Sequence, residues 1–254
     1  MKIAVCVKQI PDPATPYELD PDTHFVVRPD DQVLDDTDRY GVEIGLRLAE
    51  AAGDGSTVTL VSMSPAGNLQ GIRQALAMGA DRAVVIDDDT LRGADSLLTA
   101  KVLAAALRRE ETDLVIAGTE STDGYSGVVP QQVAELLGVP SLTFAREVEV
   151  DGETLRIHRQ TQAGYDVVET SLPAVLSVTS GVVEPRYPTF KGIMDAKRKP
   201  IDTLSCGDLG IVPAVQQEIR SVEPVPARQA GEIVEDDGEA YLRILALLEQ
   251  VKVI

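Results

Sequence analysis

The sequence predicts an α/β protein built on a doubly wound, mostly parallel sheet, with a β-hairpin addition and an extended C-terminal arm that ends in a helix. Three observations predict it. Short apolar runs alternate with helical patterns through the first two-thirds of the chain. Those runs are almost continuously apolar, as parallel strands covered on both faces must be. After Pro140 the pattern changes to a two-residue alternation around an Asp-Gly pair, the signature of a hairpin.

Taken in order, "KIAVCVKQI" (2–10) is the first strand, ended by Pro11. A helix follows at about 37–52. "STVTLVSMS" (56–64), "RAVVID" (82–87) and "DLVIAG" (113–118) are the next three strands. Over 65–79, Leu69, Ile72 and Leu76 share one helical face, with Pro65 at a favoured first-turn position. Over 94–109, Leu98, Val102 and Ala105 repeat the pattern. Over 127–138, Val129, Val133 and Leu136 do so again, and Gly138 and Pro140 stop the helix. Strand alternating with helix in this way gives a doubly wound sheet. "FAREVEVDGETLRIHRQ" (144–160) is the hairpin, and "YDVVETSLPAVLSV" (165–178) supplies further strand. Residues 201–236 carry breaks and charges with little periodicity and are expected to form an extended arm. The closing helix places Tyr241, Ile244, Leu245, Leu248 and Val251 on one stripe.

Composition narrows the function. The 254 residues carry a formal net charge of -18, which repels phosphate backbones and disfavours nucleic acid. Aromatics are only 4% with no Trp, a poor base-stacking platform. Cys6 and Cys206 stand far apart, and His24 and His158 are the only histidines, so a zinc or His-rich centre has no ligand set. No apolar run reaches the length of a membrane span. The N-terminus lacks a secretory pattern, so a cytoplasmic protein is expected, or a mitochondrial matrix protein if the source is eukaryotic. "LDDTD" (34–38) and "DDD" (87–89) lack EF-hand spacing. A helix cap accounts for the first and a solvated loop for the second. No Walker A motif, GxGxxG or SGGxDS occurs, and no Ser/His/Asp or Cys/His arrangement is supported.

The strongest local candidate is "AGTESTDGYSGVVPQQ" (117–132), a loop between a strand and a helix. Ligands of open parallel sheets bind outside the carboxyl ends of the strands. Ser126, Gly127, Val128 and Val129 would offer backbone N–H groups to a phosphate, aided by the helix dipole. The same spacing fits a plain loop with Ser or Asp capping the helix. Lys8, at the first strand's end, fits either a ligand contact or a surface position. Elsewhere, "EPRYPTFKGIMDAKRKP" (184–200) packs five basic residues beside Phe190, Ile193 and Met194.

"VCVKQIPD", "IRQALAMGADRAVVI" (72–86), "VIAGTESTDG" (115–124), "LPAVLSV" (172–178) and "EPRYPTFKGIMDAKRKPI" (184–201) occur in this order and spacing. Through them the chain resembles the beta subunit of electron-transfer flavoproteins over nearly its whole length. The resemblance implies an adenine-nucleotide-binding, Rossmann-like domain over 1–200, recognition loop included, and an arm and helix over 201–254 packing on an alpha subunit. It implies a heterodimeric carrier, not an enzyme, taking electrons from a flavoprotein dehydrogenase such as an acyl-CoA dehydrogenase of fatty acid β-oxidation. A quinone-reducing or other acceptor protein would receive them. FAD would be shared with the alpha subunit, and AMP would lie in this chain. In a bifurcating branch FAD takes the AMP position. A stand-alone nucleotide-sensing module is the remaining alternative.

The implied nucleotide pocket uses Cys6, the turn Asp35, Asp36, Thr37 and Asp38, and Met63. It also uses Gly118, Thr119, Asp123, Gly124 and Tyr125, with the phosphate against Ser126, Gly127, Val128 and Val129. The implied partner-binding residues are Phe190 as anchor with Lys191, Gly192, Ile193 and Met194 beside it. Arg186, Lys191 and Lys197 to Lys199 would form a patch for acidic surfaces. Departures are Pro13 and Thr37, where many members have aromatics near the flavin, with Tyr17 a nearby substitute. Where the family has an acidic residue and glycines, then Glu or Gln, this chain has Gln160, Gln162 and Ala163, then Asp166, which weakens the carry-over of a salt bridge from this turn to the alpha subunit.

Overall fold

The computed structural model describes residues 1–65, 67–223, 225, 231, 233–236 and 238–253. Two units are present, Met1–Ile219 and Arg220–Ile254.

In the first unit the strands are β1 (Lys2–Cys6), β2 (Gln9–Ile10), β3 (Val33–Leu34), β4 (Thr57–Met63), β5 (Arg82–Ile86) and β6 (Leu114–Gly118). They continue with β7 (Ser141–Asp151), β8 (Thr154–Thr161), β9 (Gly164–Ser171), β10 (Ala174–Val178) and β11 (Ile201–Leu204). The helices are α1 (Asp36–Ala52), α2 (Gln70–Met78), α3 (Ser96–Glu110), α4 (Val129–Leu137) and α5 (Phe190–Ala196). The second unit holds α6 (Ala240–Gln250). No helix among the described residues is long and apolar enough to cross a membrane.

Nine strands form one sheet in the order β11-β5-β4-β1-β6-β10-β7-β8-β9. It is parallel from β11 to β7. From β7 through β9 it is an antiparallel meander. The chain moves from β1 outward to β4 and β5, then returns to place β6 on the other side of β1. That reversal opens a crevice at the carboxyl ends of β1 and β6, where ligands of such sheets bind.

Alternation along the strands feeds two cores. Ile3, Val5 and Leu60 meet Val42, Leu46, Ile72 and Leu76 of α1 and α2 on one face. Ala4, Val61 and Ile86 meet Leu98, Val102, Leu107 and Val133 of α3 and α4 on the other. Each large apolar side chain contributes about 2 kcal/mol on leaving water.

Three local expectations are corrected. The first strand breaks after Cys6, and Gln9–Ile10 pairs separately with β3. The helix expected from 65 begins at Gln70. Asn68 Oδ1 accepts from Gln70 N at 2.9 Å, and Gln9 Oε1 accepts from Gly71 N at 2.8 Å. These acceptors fix the start where Pro65 does not. The arm expected over 201–236 begins instead as strand, because Ile201–Leu204 completes the sheet beside β5. The first unit therefore runs past residue 200, to Ile219. Residues 224, 226–230 and 232 of that arm lie outside the described residues. In α6, Tyr241, Ile244, Leu245 and Val251 are exposed and Leu248 is half-buried.

Candidate functional site

The loops around the crevice are fastened to one another by carboxylates. Asp35, fully buried, caps α1: its Oδ1 accepts from Thr37 N at 3.0 Å and Thr37 Oγ1 at 2.8 Å. Its Oδ2 accepts from Thr122 N at 2.7 Å and Thr122 Oγ1 at 3.1 Å. One side chain thus joins the helix start to the loop after β6. The cap read from "LDDTD" is present, and it has this second duty. Asp38 Oδ2 accepts from Lys8 N at 2.6 Å. Burial, reinforced by the charge of Asp35, raises Asp38 well above the ordinary carboxylate range. Cys6 lies against it, and burial plus the Asp38 charge push its thiol up to about 12, so it stays protonated. Asp36 is exposed at the first turn of α1 and pairs with Arg39 at 3.2 Å.

Asp123 is the third carboxylate. Lys8 Nζ reaches its Oδ1 at 2.6 Å, and Arg28 closes on Oδ2. Burial alone would push Asp123 up, but these two cations hold it below its usual value. Lys8 Nζ also donates to Ser121 Oγ at 3.2 Å. Lys8 is therefore an internal tie, and Arg28 is a tie that no sequence motif announced. Tyr17 brings its phenol to the same stretch. Burial first, then the charges of Asp123 and Asp35, raise its pKa.

With the carboxylates committed, the loop leaves its amides open. α4 begins at Val129 with Val128 as N-cap and no side-chain cap, so the alternative of a plain loop capped by Ser or Asp is not what forms. Among the described residues, no hydrogen bond to the N–H groups of Ser126, Gly127, Val128 or Val129 is formed. Gly127 sits at φ 62°, a conformation a side chain disfavours, and a Cβ there would lie 3.2 Å from Glu120 Oε2. Gly124 N and Tyr125 N both turn back to Ser121 O, at 3.3 and 2.9 Å. Free amides at a helix N-terminus suit a phosphate. Met63 ends β4, half-buried, on the same rim.

A cleft of about 790 Å³ borders this crevice. Thr37, Thr119, Glu120, Thr122 and Tyr125 line one end, and Phe144, Gln160–Gln162 and Val178–Ser180 the other. Of the expected pocket residues only Thr37, Thr119 and Tyr125 face it. Thr119 is fixed there by its N and Oγ1, which both donate to Val178 O, at 3.1 and 3.0 Å. Phe144 and the β8–β10 residues were not foreseen as site residues.

Phe190 to Met194 lie in the separate helix α5. Thr189 caps it, its Oγ1 accepting from Gly192 N at 3.0 Å. A Cβ on Gly192 would meet Ala77 O at 2.5 Å, so glycine lets α5 lie against α2. Phe190 is 83% exposed, Ile193 48% and Met194 47%, so none of the three is core. Lys191 is exposed beside them.

The basic patch is smaller than expected. Arg186 pairs with Glu43 at 2.7 Å and Glu50 at 2.5 Å, which raises its own pKa. Lys199 Nζ donates to Leu76 O at 3.0 Å and Ala80 O at 2.7 Å, closing the end of α2. Burial lowers its pKa against the pull of Asp81 and Asp195. Carbonyl oxygens and carboxylates of the chain itself thus take two of the five cations.

Comparison with known proteins follows the same outline. The sequence model described as the electron transfer flavoprotein domain matches residues 23–209. The chain is 40% identical to the electron transfer flavoprotein subunit beta of Mycobacterium tuberculosis, over 99% of both chains. It is 33% identical to the subunit of that name from Megasphaera elsdenii, over 99% of this chain and 96% of the relative. It is also 33% identical to the caffeyl-CoA reductase-Etf complex subunit CarD of Acetobacterium woodii, over 92% of each.

Proposed function

Since the chain belongs to the electron transfer flavoprotein family, matching its beta subunits end to end, we propose that it is the beta subunit of a cytoplasmic heterodimeric electron carrier. Its work is to bind and to position. It holds AMP in the crevice at the ends of β1 and β6, with the phosphate on the N–H groups of Ser126 to Val129. It pairs with an alpha subunit, to which residues 201–254 contribute packing surface. It presents α5, with Phe190 as anchor, to a flavoprotein dehydrogenase such as an acyl-CoA dehydrogenase, and serves a quinone-reducing or other acceptor protein. FAD, shared with the alpha subunit, supplies the one- and two-electron chemistry when bound.

The observation that carries the nucleotide reading is the set of four uncommitted amides at the uncapped start of α4, behind a glycine at φ 62°. A dinucleotide or mononucleotide phosphate fits such donors without any basic side chain. Lys8 and Arg28 do not serve it directly, because Asp123 occupies both. They shape the loop that does.

A second reading places FAD in the AMP position, as in the bifurcating branch of the family. The likeness to a subunit of a caffeyl-CoA reductase-Etf complex favours keeping it. The test is the nucleotide content of the purified alpha–beta complex. One FAD and one AMP per heterodimer supports the simple carrier. Two FAD and no AMP replaces it with the second reading. No adenine nucleotide beyond the shared FAD would sink the assignment of the crevice.

A further inference from the structure

Strand β7 departs from a regular ladder twice, and both departures fall on one rim. β10 pairs Leu176 with Leu142 and Val178 with Ala145, so β7 carries one extra residue between them. Phe144, in that interval, has φ 58°. On the other side β8 pairs Arg159 with Ala145 and His158 with Glu147, which leaves Arg146 as a second bulged residue. Bulges re-aim side chains and gather beside functional sites. Phe144 lines the cleft described above. Arg146 lines its continuation, a space of about 470 Å³ edged by Gly164 and Gly181.

Every other side chain lining that continuation is neutral. Arg146 lies over the Tyr165 ring, 5.9 Å from its centre, and Tyr165 is itself stacked on His158 at 4.4 Å. The stack steers the guanidinium without neutralising it. Of the neighbouring carboxylates, Glu149 and Glu169 pair with Arg156 at 3.5 and 2.5 Å, and Glu147 lies 2.8 Å from His158 Nδ1. Among the described residues Arg146 has no ion-pair partner. In a chain of net charge -18, an arginine aimed into a cleft by a backbone irregularity and left unpaired is a built anion receptor.

We propose that this cleft receives a carboxylate side chain of the alpha subunit, gripped by the Arg146 fork. The inference rests on the beta-subunit reading. Two features favour a protein carboxylate over a free anion. Gly164 and Gly181 leave the rim bare, so another backbone can approach closely. The space offers one cation among neutral side chains, which a single carboxylate matches and a polyanion does not.

The test uses the alpha–beta complex, titrated between labelled subunits at low and high salt, with Arg146→Gln, Arg146→Glu and Arg146→Lys. Gln should weaken assembly about tenfold and Glu more, with Lys between Gln and the natural residue. Assembly should become less salt-sensitive in the Gln variant. FAD and AMP content of the assembled complex should not change. Assembly of Arg146→Glu at the natural affinity overturns the inference. Unaltered assembly with loss of FAD or AMP overturns it too, because the cleft would then hold a small ligand. If the unmodified chain does not assemble with an alpha subunit at all, the beta-subunit reading itself fails, and with it this inference.

Discussion

The crevice at the ends of β1 and β6 and the stretch that carries α5 use charge in opposite ways. In the crevice, Asp35, Asp38 and Asp123 face inward and fasten loops to one another. Around α5, the inward ties are cations, Arg186 on Glu43 and Glu50, and Lys199 on the carbonyls of α2. What each region leaves for a ligand differs accordingly. The crevice leaves bare amides, suited to a small anion. The α5 stretch leaves Phe190, Ile193 and Met194, suited to an apolar pocket on another protein. In both, the charges that attract notice in the sequence do structural work, and the groups left over are the ones open to a ligand.

The sharpest way to break the comparison is to remove one inward tie. Asp35→Ala deletes four hydrogen bonds and strands the Thr37 and Thr122 amides. We expect a loss of about 3 kcal/mol in urea unfolding, together with loss of bound AMP. A change below about 1 kcal/mol would show that Asp35 is a bystander.

The matching change on the other side leaves the ties alone. Phe190→Ala should leave stability within about 0.5 kcal/mol, since the ring is 83% exposed. Reduction of the heterodimer by its dehydrogenase should slow at least about tenfold, with flavin content unchanged. Stopped-flow reduction at the natural rate would remove Phe190 from the docking surface.

Periodicity made the architecture legible. Strands β4, β5 and β6 and helices α1, α3 and α4 lie within a few residues of where alternation and helical spacing put them. The misses have a common cause, partners distant in sequence. Gln9 sets the start of α2 from the far side of β3, and no local pattern announces it. β11 hides in "IDTL" because an edge strand is half exposed and lacks a continuous apolar run. The bulges at Phe144 and Arg146 show in "FAREVEV" only as two like pairs, Phe144-Ala145 and Arg146-Glu147, which do not by themselves announce a bulge. For the site, the cap at Asp35 was readable locally, but its second grip on Thr122 was not. Arg28 carried no signal at all, and among the cleft residues of β7 and β8 only Gln160 drew notice, as a departure from the family's turn. Arg186 and Lys199 read as part of a free patch because their acceptors, Glu43, Glu50 and the carbonyls of Leu76 and Ala80, are distant in sequence.

A subtler test separates charge from shape at Asp38. Its folded pKa is raised, so its favourable contribution is complete below the unfolded value of about 3.9 and is lost as pH rises through the folded one. Asp123 has the opposite sign. Its folded pKa is lowered, so its contribution is present above the unfolded value and lost as pH falls. Asp38→Asn keeps an acceptor for the Lys8 amide and removes the charge. Its stability relative to the natural chain should therefore improve as pH rises from acid to neutral, by on the order of 1 kcal/mol. Unfolding free energies across that range decide it. A difference independent of pH would mean that Asp38 titrates normally.

The smallest expected effect concerns Ser126, the one hydroxyl among the four positions proposed to hold the phosphate. If backbone donors hold the phosphate, Ser126→Ala removes nothing essential, and AMP per heterodimer should stay within about twofold of the natural complex. Gly127→Val is its counterpart. It forces a branched side chain into φ 62° and toward Glu120 Oε2, so the amides lose their alignment and AMP should be lost. An empty Ser126→Ala complex beside a loaded Gly127→Val complex would invert the assignment. The hydroxyl would then be the donor that matters, and the crevice would resemble the α5 stretch in relying on a side chain after all.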